Sequence, residues 1–385
     1  MPHTKHILLL VETSKIFGRG LLEGIGSYAV AHGRWSLYME ERSLGEREPD
    51  WLRRWTGDGI IIRSYYEDVI DAIVSRRVPA VDTNTRVEGH GLPLVYVDEE
   101  ALARMAVEHF LERRFQRVAF CTIEEGAWVD RRRRAFAQET RRHGIPCHWF
   151  SAECQGRSLW EAQRQELAEW AQSLPKPIAV LAANDVCGMR LIDACRSVDI
   201  PIPEQIAVLG VDNDPVITTL TSPPMSSIDL NTPRIGYEAA ALLDRMMHGE
   251  KPPRSELLLP PRGVVAREST DVFAMADPEL AEALTFIRRH ACDGITVGDV
   301  VHRLALSRAT LERRFRRYLN RTPKDEILRI RLEQVKKLLT RTRHPLPEVA
   351  ALAGFKTASH MSVVFKREVG MSPSTYRKTA AVEEE

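Results

Sequence analysis

Nowhere in these 385 residues does an apolar run approach the ~20 residues that cross a bilayer, so neither a membrane span nor a membrane partner is expected. The first apolar stretch, Ile7–Val11, is too short for a signal-peptide core and lacks a small-residue cleavage site; it reads as a first strand. Cysteine is sparse, and the six, at positions 121, 147, 154, 187, 195 and 292, form no CxxC pair. That fits free thiols in a reducing cytoplasm better than a disulfide frame. The 12 histidines are scattered without ligand spacing, so no metal is expected. Catalytic signatures are missing as well. There is no HExxH, GxSxG or GxxxxGK[ST], so the chain is expected not to be an enzyme and to need no cofactor.

An excess of one charge sign is also lacking, but only on average. Lys and Arg number 54 against 53 Asp and Glu. From Ala276 onward the count is 21 basic against 14 acidic, a balance of +7, which leaves 33 against 39, a balance of −6, for residues 1–275. A basic module on an acidic body points the phosphate-binding end of the chain to its carboxy-terminal part.

That part carries two helix-turn-helix patterns in tandem. The first runs from Thr296 to Tyr318: an amphipathic helix bearing Val297, Val300, Val301 and Leu304, a break at Ala305-Leu306-Ser307, and a second helix opened by Ser307 as N-cap. In that second helix Leu311, Phe315 and Tyr318 form the apolar stripe. Ala309, Arg313 and Arg316 lie opposite, flanked by Glu312 and Arg317. The other pattern runs from Leu346 to Val369, with Val349, Ala350 and Leu352, a break at Gly354-Phe355, and a helix that buries Met361 and Phe365. Ala358, Ser359, Ser362 and Val363 then face outward, followed by Lys366 and Arg367. One arginine-rich helix is ordinary solvated surface. Two, each behind a short helix and a tight break, are a device for reading double-stranded DNA in the major groove.

These residues resemble a known family. Leu306-Ser307, Leu311-x-Arg313-x-Phe315, Pro323, Arg331-Leu332 and Leu338-Leu339 are similar to the first half of an AraC-type DNA-binding domain. Val349-Ala350, Ala353-Gly354-Phe355, Phe365-Lys366, Gly370-x-Ser372-Pro373 and Tyr376-Arg377 are similar to the second. Asn320 stands where that family favours Gly, and Asn also tolerates a left-handed helix end. Val335 replaces a small Ala, and Val363 replaces a polar or basic base-reader, which exchanges a hydrogen bond for contact with a thymine methyl.

Residues 1 to about 270 alternate strands with helices, which predicts α/β architecture with parallel sheets covered on both faces. The stretch is too long for one doubly wound unit, so two linked sheets with a cleft are expected. Val97-Asp98, Arg114-Phe115-x-Arg117-Val118, Ala182-Ala183-Asn184-Asp185, Gly210-Val211-Asp212 and Gly263-Val264-Val265-Ala266-Arg267-Glu268-Ser269 resemble the sugar-binding core of LacI-type repressors. The resemblance implies the fold of type I periplasmic sugar-binding proteins for residues 1–270. A linker at 271–277 and an all-α AraC-type domain with two helix-turn-helix motifs at 278–380 would follow. That order resembles the xylose-operon regulators. It implies a sugar effector, xylose or a related one, a homodimer on a DNA operator, and RNA polymerase as a further partner.

Sugar hydroxyls are gripped by planar side chains that donate and accept in pairs, at strand C-termini facing the cleft, with an aromatic face on the ring. The repressor resemblance implies Arg132, Asn184 and Asp212 for the polar part, with the register of the arginine open within Arg131–Arg134. Ser14 and Phe17, in the loop after the first strand, and Trp128 complete the expected ligand set. One rival pattern is present. Gly18-x-Gly20-x-x-x-Gly24 follows a strand and opens a helix, imitating a dinucleotide fingerprint. Its spacing is GxGxxxG, and six residues separate strand from first glycine where a tight turn is needed. A dinucleotide-binding enzyme with a DNA-binding appendage is therefore the alternative reading.

Overall fold

The computed structural model describes residues 4–33, 35–41, 43, 52, 54–63, 66–76, 78–84, 91–151, 160–251, 256–272 and 277–382. The chain divides into two compact units, Met1–Thr270 and Asp271–Glu385. Two sequence expectations fall outside the described residues: Cys154 and most of the 271–277 linker (residues 273–276).

The first unit runs β1 (Lys5–Leu10), α1 (Ile16–His32), β2 (Trp35–Met39), β3 (Gly59–Ile62), α2 (Glu67–Val74), β4 (Ala80–Asp82), β5 (Val95–Val97), α3 (Glu99–Glu112), β6 (Val118–Thr122) and α4 (Ala127–Arg142). It continues β7 (Cys147–Ser151), α5 (Trp160–Ser173), β8 (Ile178–Ala182), α6 (Asp185–Ser197), β9 (Ile206–Val211), α7 (Pro215–Leu220), β10 (Ser226–Asp229), α8 (Thr232–Met247), β11 (Leu257–Leu259) and β12 (Gly263–Val265). Two main sheets result, ordered β2-β1-β3-β4 and β12-β10-β9-β8-β6-β7, with a small β11-β5 pair. The strands are parallel except β12, which runs antiparallel to β10. Each main sheet has its own core. Leu8, Leu10, Ile60, Ile62 and Ile73 fill one, and Val180, Leu191, Val208 and Met225 are among the residues filling the other. These are the two lobes. Because β1, β3, β6, β8 and β9 are buried on both faces, their sequences are near-continuous apolar runs.

Helix α1 packs along α8, and glycine sets how closely. A Cβ on Gly20 would stand 1.9 Å from Thr232 Oγ1, one on Gly24 1.8 Å from the Pro233 carbonyl, and one on Gly236 2.0 Å from that of Leu21. Of the dinucleotide-like glycines, Gly20 and Gly24 are therefore a helix-packing stripe inside α1, while Gly18 makes room for the Glu12 carbonyl. That removes the structural basis of the dinucleotide-enzyme alternative.

The second unit is all helix: α9 (Pro278–His290), α10 (Val297–Leu304), α11 (Arg308–Leu319), α12 (Pro323–Arg341), α13 (Leu346–Leu352), α14 (Ala358–Val369) and α15 (Pro373–Val382). It has two cores. Leu284, Val300, Leu311, Phe315 and Ile327 belong to the first; Leu332, Val335, Val349, Met361 and Phe365 belong to the second. Helix α12 contributes to both, so its 19 residues, ~28 Å long, are the rod that joins them. Its start is fixed by a capping box of Thr322 with Asp325 and by Pro323 in the first turn. Two details depart from the sequence reading. In α11 the third fully packed residue is Leu319, while Tyr318 is half-buried. Ala358 does not face outward; it packs against the second core. At the expected linker, Asp271 is ion-paired with Arg288 and Arg289 of α9, and Asp277 caps α9 through the Leu280 amide.

Candidate ligand cavity and nucleic-acid interface

Phe17, Trp128, Arg132, Asn184 and Asp212 line a single cavity in the first unit, with Lys15, Arg63, Tyr96, Glu124 and Asp185 beside them. Ser14 is the exception. It is exposed and absent from the lining, and its neighbours Lys15, Ile16 and Phe17 take that wall because α1 begins at Ile16.

The helix settles which arginine turns inward. α4 starts at Ala127, well before Arg132, and successive positions rotate around it. Arg131 pairs with Glu256, Arg133 with Asp130, and Arg134 is exposed; Arg132 alone of the four is 2% exposed. Its Nε and Nη2 each donate to the Glu99 carboxylate at 2.8 Å, and Nη1 donates to the Ala183 carbonyl. Burial opposes the guanidinium charge, but the Glu99 carboxylate outweighs it and holds the group more firmly protonated than usual. Three of five N–H donors are used, which leaves one on each Nη. The Trp128 ring lies 5.4 Å from the guanidinium carbon.

On the other wall, the Arg63 guanidinium carbon lies 4.3 Å from the Phe17 ring centroid, and Arg63 Nη1 donates to Glu12 at 2.7 Å. Phe17 in turn meets Tyr96, centroids 5.9 Å apart. Asn184 caps α6 by accepting from the Cys187 amide, and its Nδ2 donates to Glu124 at 3.0 Å. Asn184 thus caps a helix and lines the cavity at once. Asp212 directly follows β9 with φ 107°, and Asn213 comes next at 52°. Two successive non-glycine residues at positive φ mark a turn held by its surroundings. Burial pushes the Asp212 carboxyl up to about 7, against the pull of Arg132 and Arg63. Asp185, 1% exposed, is raised well above the ordinary range by burial and by Asp212, while Ser227 Oγ and the Asp214 amide donate to it. Paired donors and acceptors between aromatic faces form a cradle for a polyhydroxylated ring.

Arg63, Tyr96, Glu124 and Lys15 were not singled out from sequence. Arg63 directly follows β3 and Glu124 closely follows β6, so the strand-terminus rule, applied to every strand, finds both.

In the second unit each helix-turn-helix is capped as its sequence requires. Ser307 accepts from the Thr310 amide at 3.1 Å, and Thr357 accepts from the His360 amide at 3.1 Å. On α11, Ser307, Ala309, Arg313, Arg316 and Arg317 are exposed, while Glu312 is half-buried and tied to Arg308 at 3.0 Å. On α14, Ser359, His360 and Lys366 are exposed, Ser362 is half-buried, and Val363 is 68% exposed. His360, exposed on the same helix, was not singled out from sequence. Arg331 is excluded from such a surface: it donates to the carbonyls of Ala291 and Ile295, linking α12 to the end of α9.

Comparison with known proteins places both units. Residues 6–91 match the XylR N-terminal domain family, 107–270 the periplasmic binding protein-like domain family, and 300–379 a helix-turn-helix domain family. The xylose operon regulatory protein of Escherichia coli K12 is 30% identical over 384 residues, covering 96% of both chains. That of Haemophilus influenzae is 29% identical over 379 residues, covering 96% of this chain and 97% of its own. A solved structure of the xylose-binding transcription activator XylR superposes with TM-score 0.65 at 28% identity, covering 97% of this chain and 98% of that one. A LacI-type regulator from Rhodococcus shares the first unit's fold, with TM-score 0.57 at 21% identity over 69% of this chain and 98% of its own. The chain belongs to the family of xylose operon regulatory proteins, AraC-family DNA-binding transcription regulators with a periplasmic-binding-protein-like amino-terminal domain.

Proposed function

We propose that residues 1–270 sense a monosaccharide in the cavity around Arg132 and Asp212, and that residues 278–380 bind operator DNA through α11 and α14. Residues 271–277 join the two. The observation that carries the sensing half is one cavity lined by Arg132, Asn184, Glu124 and Asp212 together with Phe17, Tyr96 and Trp128. Acceptors on Glu124 and Asp212 beside donors on Arg132 and Asn184 suit the hydroxyls of a neutral sugar, each of which both donates and accepts. Because the relatives are named for xylose, D-xylose is the first effector to test. The protein acts as a homodimer without enzymatic activity, in the cytoplasm, and reaches RNA polymerase when on DNA. No helix among the described residues is long and apolar enough to cross a membrane.

A ligand can alter DNA binding only by favouring one arrangement of the lobes over another. The test is DNA affinity of the full chain with and without D-xylose, with L-arabinose, D-ribose and D-glucose 6-phosphate as comparisons. Selective heat stabilisation by a neutral pentose, coupled to a change in DNA affinity, is expected. Stabilisation by the phosphate ester alone would overturn the reading of the cavity.

A further inference from the structure

Helix α3 connects the cavity to the last residues of the sensing unit. At its amino end, Glu99 receives two hydrogen bonds from Arg132. At its carboxyl end, His109 Nε2 lies 2.9 Å from Thr270 Oγ1, and Arg113 just beyond donates from Nε to the Thr270 carbonyl at 2.9 Å. Arg113 Nη1 also donates to the His109 carbonyl at 2.9 Å, which ties both grips together. His109, Arg113 and Thr270 are all buried, at 6%, 4% and 0% exposure, so these bonds are made out of water and tolerate little slack. The 14 residues of α3 span ~21 Å as one hydrogen-bonded rod.

A second route reaches the same place. Ser227 Oγ donates to Asp185 in the cavity wall at 2.6 Å and accepts from the Asn213 amide at 2.9 Å. Arg267 Nη2 donates to Asn213 Oδ1 at 2.8 Å, and the Arg267 amide donates to Ser226 Oγ, which lies 2.7 Å from Thr270 Oγ1. Both routes converge on Thr270, and the next residue, Asp271, begins the helical unit.

We propose that α3 transmits effector occupancy from Arg132 to Thr270, with His109 and Arg113 as positioning residues that touch neither sugar nor DNA. This rests on the reading of the cavity as the effector site. A sugar oxygen taking the two remaining Arg132 donors moves the guanidinium, the bidentate pair moves Glu99, and the rigid helix passes the shift to the exit segment. The Asn213–Arg267 route holds the other side of that segment, so a shift passed along α3 is taken up at Thr270 between two sets of buried hydrogen bonds.

Thr270→Val and Arg113→Lys in the full chain test this. Three quantities are measured: D-xylose affinity by calorimetry, affinity for a duplex selected from a random pool, and the change in the second caused by D-xylose. Expected in both variants is sugar affinity close to wild type, with the xylose-dependent change in DNA affinity reduced about threefold to tenfold. Amide hydrogen exchange gives a readout independent of DNA: in the wild type D-xylose alters protection at 266–272, and in Thr270→Val it does not. An unchanged xylose effect on DNA in both variants, or weakened sugar binding in step with it, overturns transmission through α3. A wild-type protein that binds D-xylose without any change in DNA affinity overturns the proposed function instead, and that outcome is seen before any variant is made.

Discussion

Asp212 combines charge and backbone strain in the wall of the proposed effector cavity. Its carboxyl titrates at about 7 when folded against 3.8 when free, so between those values the folded chain holds a proton that the unfolded chain has released. Its contribution to stability is therefore greatest at low pH and falls as pH rises from about 4 to about 7. Ligand binding has the opposite sign, because sugar hydroxyls donate to the ionised carboxylate. D-xylose affinity is expected to weaken as pH falls below about 7, by at most about tenfold per pH unit, and Asp212→Asn to flatten that dependence. Titrations at three pH values decide this; an unchanged slope in the variant assigns the titration to another group. Val363 makes a separate residue-scale case. It is 68% exposed and apolar on a surface otherwise polar, and burying it in a major groove against a thymine methyl relieves that exposure. Replacing thymine by deoxyuridine removes only the methyl. Loss of affinity at one operator position in the wild type, and none in Val363→Ala, is expected. At this scale the sequence carried residue types better than directions. Arg132 is identifiable by type but is singled out within Arg131–Arg134 only by the helix that begins at Ala127. Glu99, its partner 33 positions earlier, leaves no local trace at all.

At the level of elements, the glycines of α1 show how a pattern belongs to its surroundings. Gly24→Ala places a methyl 1.8 Å from the Pro233 carbonyl, an overpacking that costs about 1–3 kcal/mol, against a gain of about 1 from helix propensity. Gly26, two residues on in the same helix, has nothing within 4 Å of its Cβ position. Thermal melts should show Gly24→Ala destabilised and Gly26→Ala stabilised by up to about 1 kcal/mol. Two variants of equal sign would disprove the packing account. The same α1 glycines looked like a phosphate loop in sequence because a fingerprint lists residues without saying what packs on them. Helices α10, α11, α13 and α14 were legible nearly to their ends, since caps such as Ser307 and breaks such as Gly354 lie in the local sequence. Less was visible where elements depend on distant partners. Edge strand β7 is only half-buried and lacks a clear apolar run. Helix α8 has a regular apolar face, Ile235, Ala239 and Leu243, but Pro233 reads as a breaker unless it is recognised as lying in the first turn.

For the whole molecule the decisive quantity is where charge resides. The balance of +7 from Ala276 onward and −6 before it is invisible in a net charge of +1. Carboxylates fix part of the basic module internally: Glu326 holds Arg321 and Arg329, and Asp277 holds Arg314. Arg313 and Arg316 stay exposed on α11, and Lys366 on α14. Neutralising phosphates releases counterions, so DNA affinity should fall linearly in logarithmic coordinates with salt, with a slope of about −0.9 per phosphate contacted. Sugar in the cavity carries no charge to this surface. If it acts by bringing two modules of a dimer into register, D-xylose makes the slope steeper, because more contacts form at once. If it acts by releasing a single module already competent for DNA, it raises affinity at every salt concentration with the slope unchanged. Affinities for one selected duplex at four salt concentrations, with and without D-xylose, separate the two, and the dimeric regulator proposed here requires the steeper line. Arg313→Ala serves as the internal standard. A uniform loss across sequences and a slope smaller by about one unit would assign it to phosphate, whereas relaxed preference at one base pair, by about 1–3 kcal/mol, would assign it to guanine.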